Sequence, residues 1–559
     1  MKNITLLAFL LSLTIHVFGQ GTTFTNPIIS GGYPDPSITY DGEYYYIVNS
    51  SFEYFPGLPI HRSKDLVNWE CIGHGLHRKE QCNGKVNLLD VQSDGGIHAP
   101  TVRYHDGLFY IITTNVYSPA EGEPAQLVNF IITAENAEGP WSEPHVIEGA
   151  PGIDPDIFFD DNGRVWYVGQ GAARNPSFSG EGEIWTQELD LENWKLKGER
   201  HYLWTGACGG VWAEGPHMYK HDGRYYLMIA EGGTGFEHAV MIAVSDNVIG
   251  PFTSNPRNPV LTTRNLSYDN WVNSTGHADM IQLADGRWYM VALGIRNEEA
   301  RASNMARETH LLPMQWEREP YDWKETKYEW PVAAPETGRI LRNTPLPFAD
   351  KPQYRNDAFI DHFENERLDL EWNFRRIPKQ RTYSLSDHQG YLRLYTRSEI
   401  IQDRVSCSWI GFRQKESDFE YSAKMNFKAK KENVEAGISL LYKDNKYINF
   451  TLEKGNNSYN LKLNLAQKEK EVRTLKSKKL ETYKGEIIFK VISKNHTYQY
   501  FYSLDQGKSY ELFTTTSANL ILGDGYTGAN LGLYTSSNGQ KSSDYADFDW
   551  VNYKGFERK

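Results

Sequence analysis

Gly276-His277-Ala278-Asp279, followed by Asp285-Gly286-Arg287-Trp288-Tyr289, is the last of five copies of one phrase. Each copy has a polar or acidic residue beside Pro or Ala, a short strand, a glycine turn and an aromatic-rich strand. Read toward the N-terminus, the other copies are Glu214-Gly215-Pro216 with Asp222-Gly223-Arg224-Tyr225-Tyr226, and Asp154-Pro155-Asp156 with Asn162-Gly163-Arg164-Val165-Trp166-Tyr167. His98-Ala99-Pro100 with Asp106-Gly107-Leu108-Phe109-Tyr110, and Tyr33-Pro34-Asp35-Pro36 with Asp41-Gly42-Glu43-Tyr44-Tyr45-Tyr46, complete the set. The turn glycines recur at intervals of 56 to 65 residues.

Asp-Gly and Asn-Gly between apolar strands mark tight hairpins, since glycine accepts positive φ at little steric cost. A repeat built only of strands leaves both faces bare, so several must stack radially, as in a β-propeller. Asp35 stands seven residues before its turn glycine, and His98, Asp154, Glu214 and His277 stand nine before theirs. All five offsets are odd. With a side-chain period of two, these residues share one face at one end of their strands, and the propeller gathers them near its axis.

Length and charge bound the rest. A chain of 559 residues exceeds one ordinary core. Residues 1–19 read as a signal peptide: Lys2, an apolar run over residues 3–18, then Gly19. That run is too short for a membrane anchor, and the expectation is export to periplasm or medium with no membrane span in the mature chain. Residues 20–330 hold the repeats, and Pro331, Pro335, Pro345, Pro347 and Pro352 mark 331–355 as a surface connector. In 356–559, alternating strands such as Tyr391-Leu392-Arg393-Leu394-Tyr395 return without the blade phrase, which points to a β-sandwich. The fold class is therefore all-β. A formal net charge of −12 opposes nucleic acid binding. Four cysteines make no disulfide framework and no zinc-finger spacing, although Cys71 and Cys82 are left open as a pair. Asn49-Ser50-Ser51 and Asn273-Ser274-Thr275 match the glycosylation pattern but fall in or beside inner strands.

Three carboxylates around one axis suit glycoside hydrolysis, which needs one acid to protonate the leaving oxygen and one carboxylate to activate water or attack. An acid beside proline ordinarily serves a turn. Three in register across repeats favour a site. Asp35, stiffened by two prolines, reads as the base, and one fixed glutamate, Glu214 or downstream Glu231 or Glu237, would serve as the acid.

Several long stretches also carry a resemblance. Tyr33-Pro34-Asp35-Pro36-Ser37, the run from Ser51-Phe52-Glu53-Tyr54 to Lys64-Asp65-Leu66, Gly152-Ile153-Asp154-Pro155, Glu214-Gly215-Pro216-His217, Glu231-Gly232-Gly233-Thr234-Gly235-Phe236-Glu237-His238 and Arg307-Glu308-Thr309 resemble the signature segments of family 43 glycoside hydrolases. The likeness is to the β-xylosidase and α-L-arabinofuranosidase branch, and residues 356–559 resemble its C-terminal concanavalin-like, jelly-roll sandwich. The resemblance implies a five-bladed propeller, hydrolysis with inversion and no cofactor for the chemistry. It implies Asp35 as general base, Glu214 as general acid and Asp154 as the residue that orients the acid and tunes its pKa. Arg307 matches a sugar-binding arginine, and Phe52 matches a ring against the terminal sugar. His277 matches a histidine that in some members faces a bound calcium or a water, and both readings stand. Asp156 replaces a common Ser, which leaves it either perturbing Asp154 or solvated. One departure is His98, where the xylosidase pattern has Trp; it reads as a sugar contact or a packed histidine.

The expectation is an exo-acting glycosidase that takes terminal α-L-arabinofuranose, β-D-xylose or both from plant-wall oligosaccharides, with the turn Gly525-Tyr526-Thr527-Gly528-Ala529-Asn530 closing the pocket. The rivals are a glycan-binding propeller without catalysis, a sialidase or β-fructosidase, whose signature boxes are missing, and a structural surface protein. Oligomeric state is not legible.

Overall fold

Each of the five Asp-Gly or Asn-Gly turns closes an antiparallel hairpin. The pairs are Ser37–Tyr40 with Tyr45–Val48, Thr101–His105 with Leu108–Tyr117, Asp156–Phe159 with Val165–Ala172, Glu214–His221 with Arg224–Glu231, and Val272–Gln282 with Trp288–Arg296. All five turn glycines adopt φ between 71° and 103°, the region that a Cβ disfavours. This architecture comes from a computed structural model that describes residues 22–120, 122–299, 301–318, 328–468, 471–523 and 525–558. The expected signal peptide lies outside the described residues.

Further strands extend every hairpin outward. Gly57–Ser63 and Glu70–Leu76 complete blade 1, and Gln126–Ala134 and His145–Val146 complete blade 2. Gly182–Asp190 and Lys195–Trp204 belong to blade 3, Ala239–Ser245 and Thr253–Ser254 to blade 4, and Arg307–Glu317 and Trp330–Ala333 to blade 5. Apolar clusters fill the seams between neighbours: Ile112 with Tyr167 and Trp185, Trp166 with Ile229 and Met241, Val240 with Met290, and Ile38 with Val291. Radial stacking thus buries both faces of each blade. Thr23–Thr25 pairs with Asn343–Pro345, and the Ile28 amide donates to the Thr309 carbonyl at 2.9 Å, tying the start of the chain to blade 5.

The second domain is a β-sandwich. One sheet centres on Asp418–Phe427, Glu486–Lys494 and Tyr545–Phe556, and the other on Glu435–Lys443, Lys446–Lys454 and Asn530–Ser536. Asp418–Phe427 alternates strictly between buried and partly exposed positions, as expected of a strand with one face on the core. The hairpin of Tyr459–Lys468 and Glu471–Leu480 carries the lysine-rich stretch on an exposed edge.

The two domains share one core. Phe55, Leu58 and Leu76 of blade 1 belong to the same apolar cluster as Phe359, Trp372 and Phe374 of the second domain, and Phe374–Arg375 pairs as a strand with Tyr54–Phe55. A buried ion network crosses the same boundary, with Arg296 bound to Glu308 and Glu416 at 2.6 Å each and Arg355 to Glu416 at 2.7 Å. Cys71 and Cys82 are unpaired. Asn49 and Asn273 are both buried, and the Asn49 amide donates to the carbonyls of Tyr33 and Pro34 at 3.0 and 2.9 Å. No helix among the described residues is long and apolar enough to cross a membrane.

Candidate active site

Where the inner strands begin at the propeller axis, the backbone repeatedly turns through the left-handed region. Asp35 has φ 51°, Asp154 54°, Gly215 56° and His277 42°. Such conformations cost about 1–3 kcal/mol each for residues other than glycine and persist only where surrounding structure fixes them. The Asn49 amide supplies that for the Asp35 segment. The five side chains share one strand face only loosely, because β-bulges interrupt the inner strands of blades 4 and 5 beside Glu214 and His277.

These turns aim side chains into a pocket of about 230 Å³, which brings together Asp35, Phe52, His98, Asp154, Glu214, His277 and Arg307. Its volume lies below the ~300–1,000 Å³ of sites that hold drug-sized ligands. Trp212, Thr234 and Tyr526 also line it, none of them assigned a role from sequence by itself.

Asp35 is buried. Its Oδ2 accepts from the Ser50 hydroxyl at 2.5 Å, its Oδ1 lies 3.1 Å from an Arg307 nitrogen, and His277 Nδ1 is 3.8 Å away. Burial acts to raise its pKa, but Arg307, His277 and Ser50 together outweigh it and hold the carboxyl below its usual range. Glu214 behaves oppositely: burial first, then the Asp35 charge, pushes it up to about 7 against the opposing Arg307. Asp154 is also raised, by burial and then by repulsion from Glu214 and Asp35. The pocket therefore holds one carboxylate that is ionised in mild acid and a neighbouring pair that keeps a proton to about neutrality. Environments that push carboxyl pKa values apart assign the base and the acid.

Arg307 donates to Asp35 Oδ1, to Thr234 Oγ1 at 3.0 Å and to the Tyr526 carbonyl at 3.3 Å. Its buried Nε has no protein partner among the described residues. Phe52 and Tyr526 stack at 5.5 Å and 15°, and His98 meets Phe52 edge-on at 5.1 Å. His98 is thus part of the aromatic wall, with Nε2 3.2 Å from the Asp94 carbonyl and a pKa lowered to about 4 by burial. Tyr526 arrives from the sandwich, so the expected turn does cover the pocket.

Below Asp35, Asp154 and Glu214 every blade contributes to a hub on Arg103. Asp156 and Asp279 each lie 3.0 Å from its guanidinium, His217 Nδ1 lies at 3.1 Å, and the Ser37 and Tyr219 hydroxyls donate to Asp279 at 2.7 and 2.6 Å. Asp156 is accordingly neither solvated nor a free perturber of Asp154; it is fully buried against Arg103. Around His277 the facing groups include the imidazoles of His217 and His238, whose buried Nε2 atoms lack partners among the described residues. A nitrogen-rich set does not fit calcium, which takes six to eight oxygens, and no step is assigned to a metal. Among the described residues no group of three His, Cys, Asp or Glu side chains is placed to hold one.

The alternative acids lie elsewhere. Glu231 is buried and accepts the amides of Ala207, Cys208 and Gly210 at 2.8, 3.1 and 2.6 Å, while Glu237 is exposed and off the pocket.

Comparison with known proteins places this geometry. The family model described as glycosyl hydrolases family 43 matches residues 24–320, and the β-xylosidase C-terminal concanavalin A-like domain matches residues 360–554. A xylosidase/arabinosidase of Butyrivibrio fibrisolvens is 38% identical over 538 residues, covering 94% of this chain and 98% of the relative. A non-reducing end α-L-arabinofuranosidase of Bacteroides ovatus is 36% identical, covering 95% of each chain. The solved structure of a xylan β-1,4-xylosidase from Bacillus halodurans aligns with a TM-score of 0.85 at 29% identity over 95% of this chain and 100% of that one. The chain is a glycosidase, and it belongs to glycosyl hydrolase family 43.

Proposed function

We propose that this chain is exported and releases one terminal pentose at a time, α-L-arabinofuranose, β-D-xylose or both, from plant cell-wall oligosaccharides with inversion. The carrying observation is the opposed pair in one small pocket: Asp35 held ionised by Arg307 beside Glu214 pushed up to about 7. The names of the relatives support the choice of pentoses, and the apolar run after Lys2 supports export.

Asp35 takes a proton from a water whose oxygen bonds to the anomeric carbon. As that bond forms, the glycosidic C–O bond breaks and its electron pair stays on the leaving oxygen, which takes the Glu214 proton. The products are a pentose of opposite anomeric configuration and a glycan one residue shorter. Asp35 is left protonated and Glu214 ionised until solvent resets both. Asp154 keeps Glu214 oriented, and Arg307 binds sugar hydroxyls through its unused donors. The Phe52–Tyr526 wall closes the far side, so the pocket admits a chain end only.

Parallel assays with aryl α-L-arabinofuranoside and aryl β-D-xyloside test the substrate class, and NMR of the first-formed anomer tests inversion. Release of neither pentose, or initial retention of configuration, would overturn the assignment.

A further inference from the structure

We propose that Trp212 is the platform for the sugar on the leaving-group side of the scissile bond; the inference rests on Glu214 being the proton donor. Trp212 stands two residues before Glu214 and lines the same pocket. Of the aromatic residues in that pocket, Phe52 is 2% exposed, Tyr526 37% and Trp212 57%. Trp212 is therefore at the mouth, on the side of the residue that protonates the departing oxygen. A sugar leaving past Glu214 passes over this ring.

The ring is held open at a structural cost. Trp212 has φ 52°, an uncommon conformation for a bulky residue, fixed by its amide donating to the Gly180 carbonyl at 2.7 Å and by Gly232 donating to the Val211 carbonyl at 2.8 Å. The Cε3–Cζ3 edge of the indole lies against Gly233, where a Cβ would come within 2.7 Å of Trp212 Cε3 and 2.8 Å of Cζ3. The loop leading to it is anchored by the three amides on the buried Glu231 carboxylate, the charge-assisted kind of hydrogen bond that fixes geometry most firmly. A strained and rigidly supported indole that is more than half exposed does little for the core. Flat amphipathic rings of this kind suit the C–H face of a sugar.

The test measures kcat/KM for wild type, Trp212→Ala and Trp212→Phe on two substrates sharing the same terminal pentose, a disaccharide and the pentosyl fluoride. Fluoride offers nothing to stack upon. Trp212→Ala is expected to lose about five- to tenfold more on the disaccharide than on the fluoride, the scale of one aromatic-face contact, and Trp212→Phe is expected to recover most of that difference. Equal losses on both substrates, or no loss on the disaccharide, would overturn the proposal. Glu214→Ala, run alongside, separates the two levels, because fluoride departs without a proton donor. If it loses equally on the disaccharide and the fluoride, Glu214 is not the donor and this inference falls with that reading; if it loses on the disaccharide and keeps the fluoride while Trp212→Ala loses uniformly, only the platform is refuted.

Discussion

Replacing Arg307 by glutamine is expected to move both limbs of the pH profile toward higher pH. The guanidinium lies 3.1 Å from Asp35 Oδ1 and also opposes the rise of the Glu214 pKa. A positive charge favours the anion of each carboxyl, so its removal raises both pKa values. An aspartate beside an arginine is depressed by about one to three pH units, which sets the upward movement of the acid limb that reports Asp35. The alkaline limb, near 7 in the wild type, moves up by less, because Arg307 ranks behind burial and Asp35 at Glu214. Activity falls as well: charged donors to sugar hydroxyls contribute about 1.5–3 kcal/mol each, so kcat/KM at the optimum drops roughly 10- to 150-fold. The assay is kcat/KM against pH on an oligosaccharide, since an acidic phenol would mask the limb set by the proton donor. Reduced activity with both limbs unmoved would refute the electrostatic role of Arg307, and limbs moving apart would refute the account of the pair.

Asp35→Asn keeps the size of the side chain and loses the proton acceptor, so kcat is expected to fall by about 10²- to 10⁴-fold while calorimetry still detects oligosaccharide binding; wild-type turnover in a folded protein removes Asp35 from this role. Glu214→Ala is expected to lose most activity on oligosaccharides and far less on aryl glycosides with acidic phenols, with its alkaline limb flattened. Equal loss across leaving groups of graded acidity would mean another residue is the donor. Asp154→Asn is expected to shift that limb without abolishing it. A chain ending after Asp350 exposes the apolar face that Phe359, Trp372 and Phe374 cover and removes Tyr526, so thermal stability and terminal-sugar recognition are expected to fall together. A stable, fully active fragment would show the sandwich to be separable.

The hairpins were legible because a glycine turn is a local device, readable from Asp285-Gly286 without knowing what packs against it. Asp35, Asp154 and Glu214 were legible for a related reason: repetition turns sequence distance into a common address at the axis. Asp156 shows where that reading ends. Two residues beyond Asp154, it points farther down the axis, and its environment depends on Arg103 of another blade, whose place in the repeat carried the only signal. Trp212, Thr234 and Tyr526 come from loops outside the repeated phrase. For Tyr526 the turn was foreseen but the ring was not, since its stacking on Phe52 is a relation across more than 470 residues.

That last relation bears on how the molecule comes into being. Asp35 leaves the ribosome first, its partner Arg307 emerges 272 residues later, and Tyr526 follows 219 residues after that. A growing polypeptide thus lacks the Tyr526 wall of its pocket until 491 residues beyond Asp35 have been made. The pocket is assembled only once the sandwich strand that follows this turn can form.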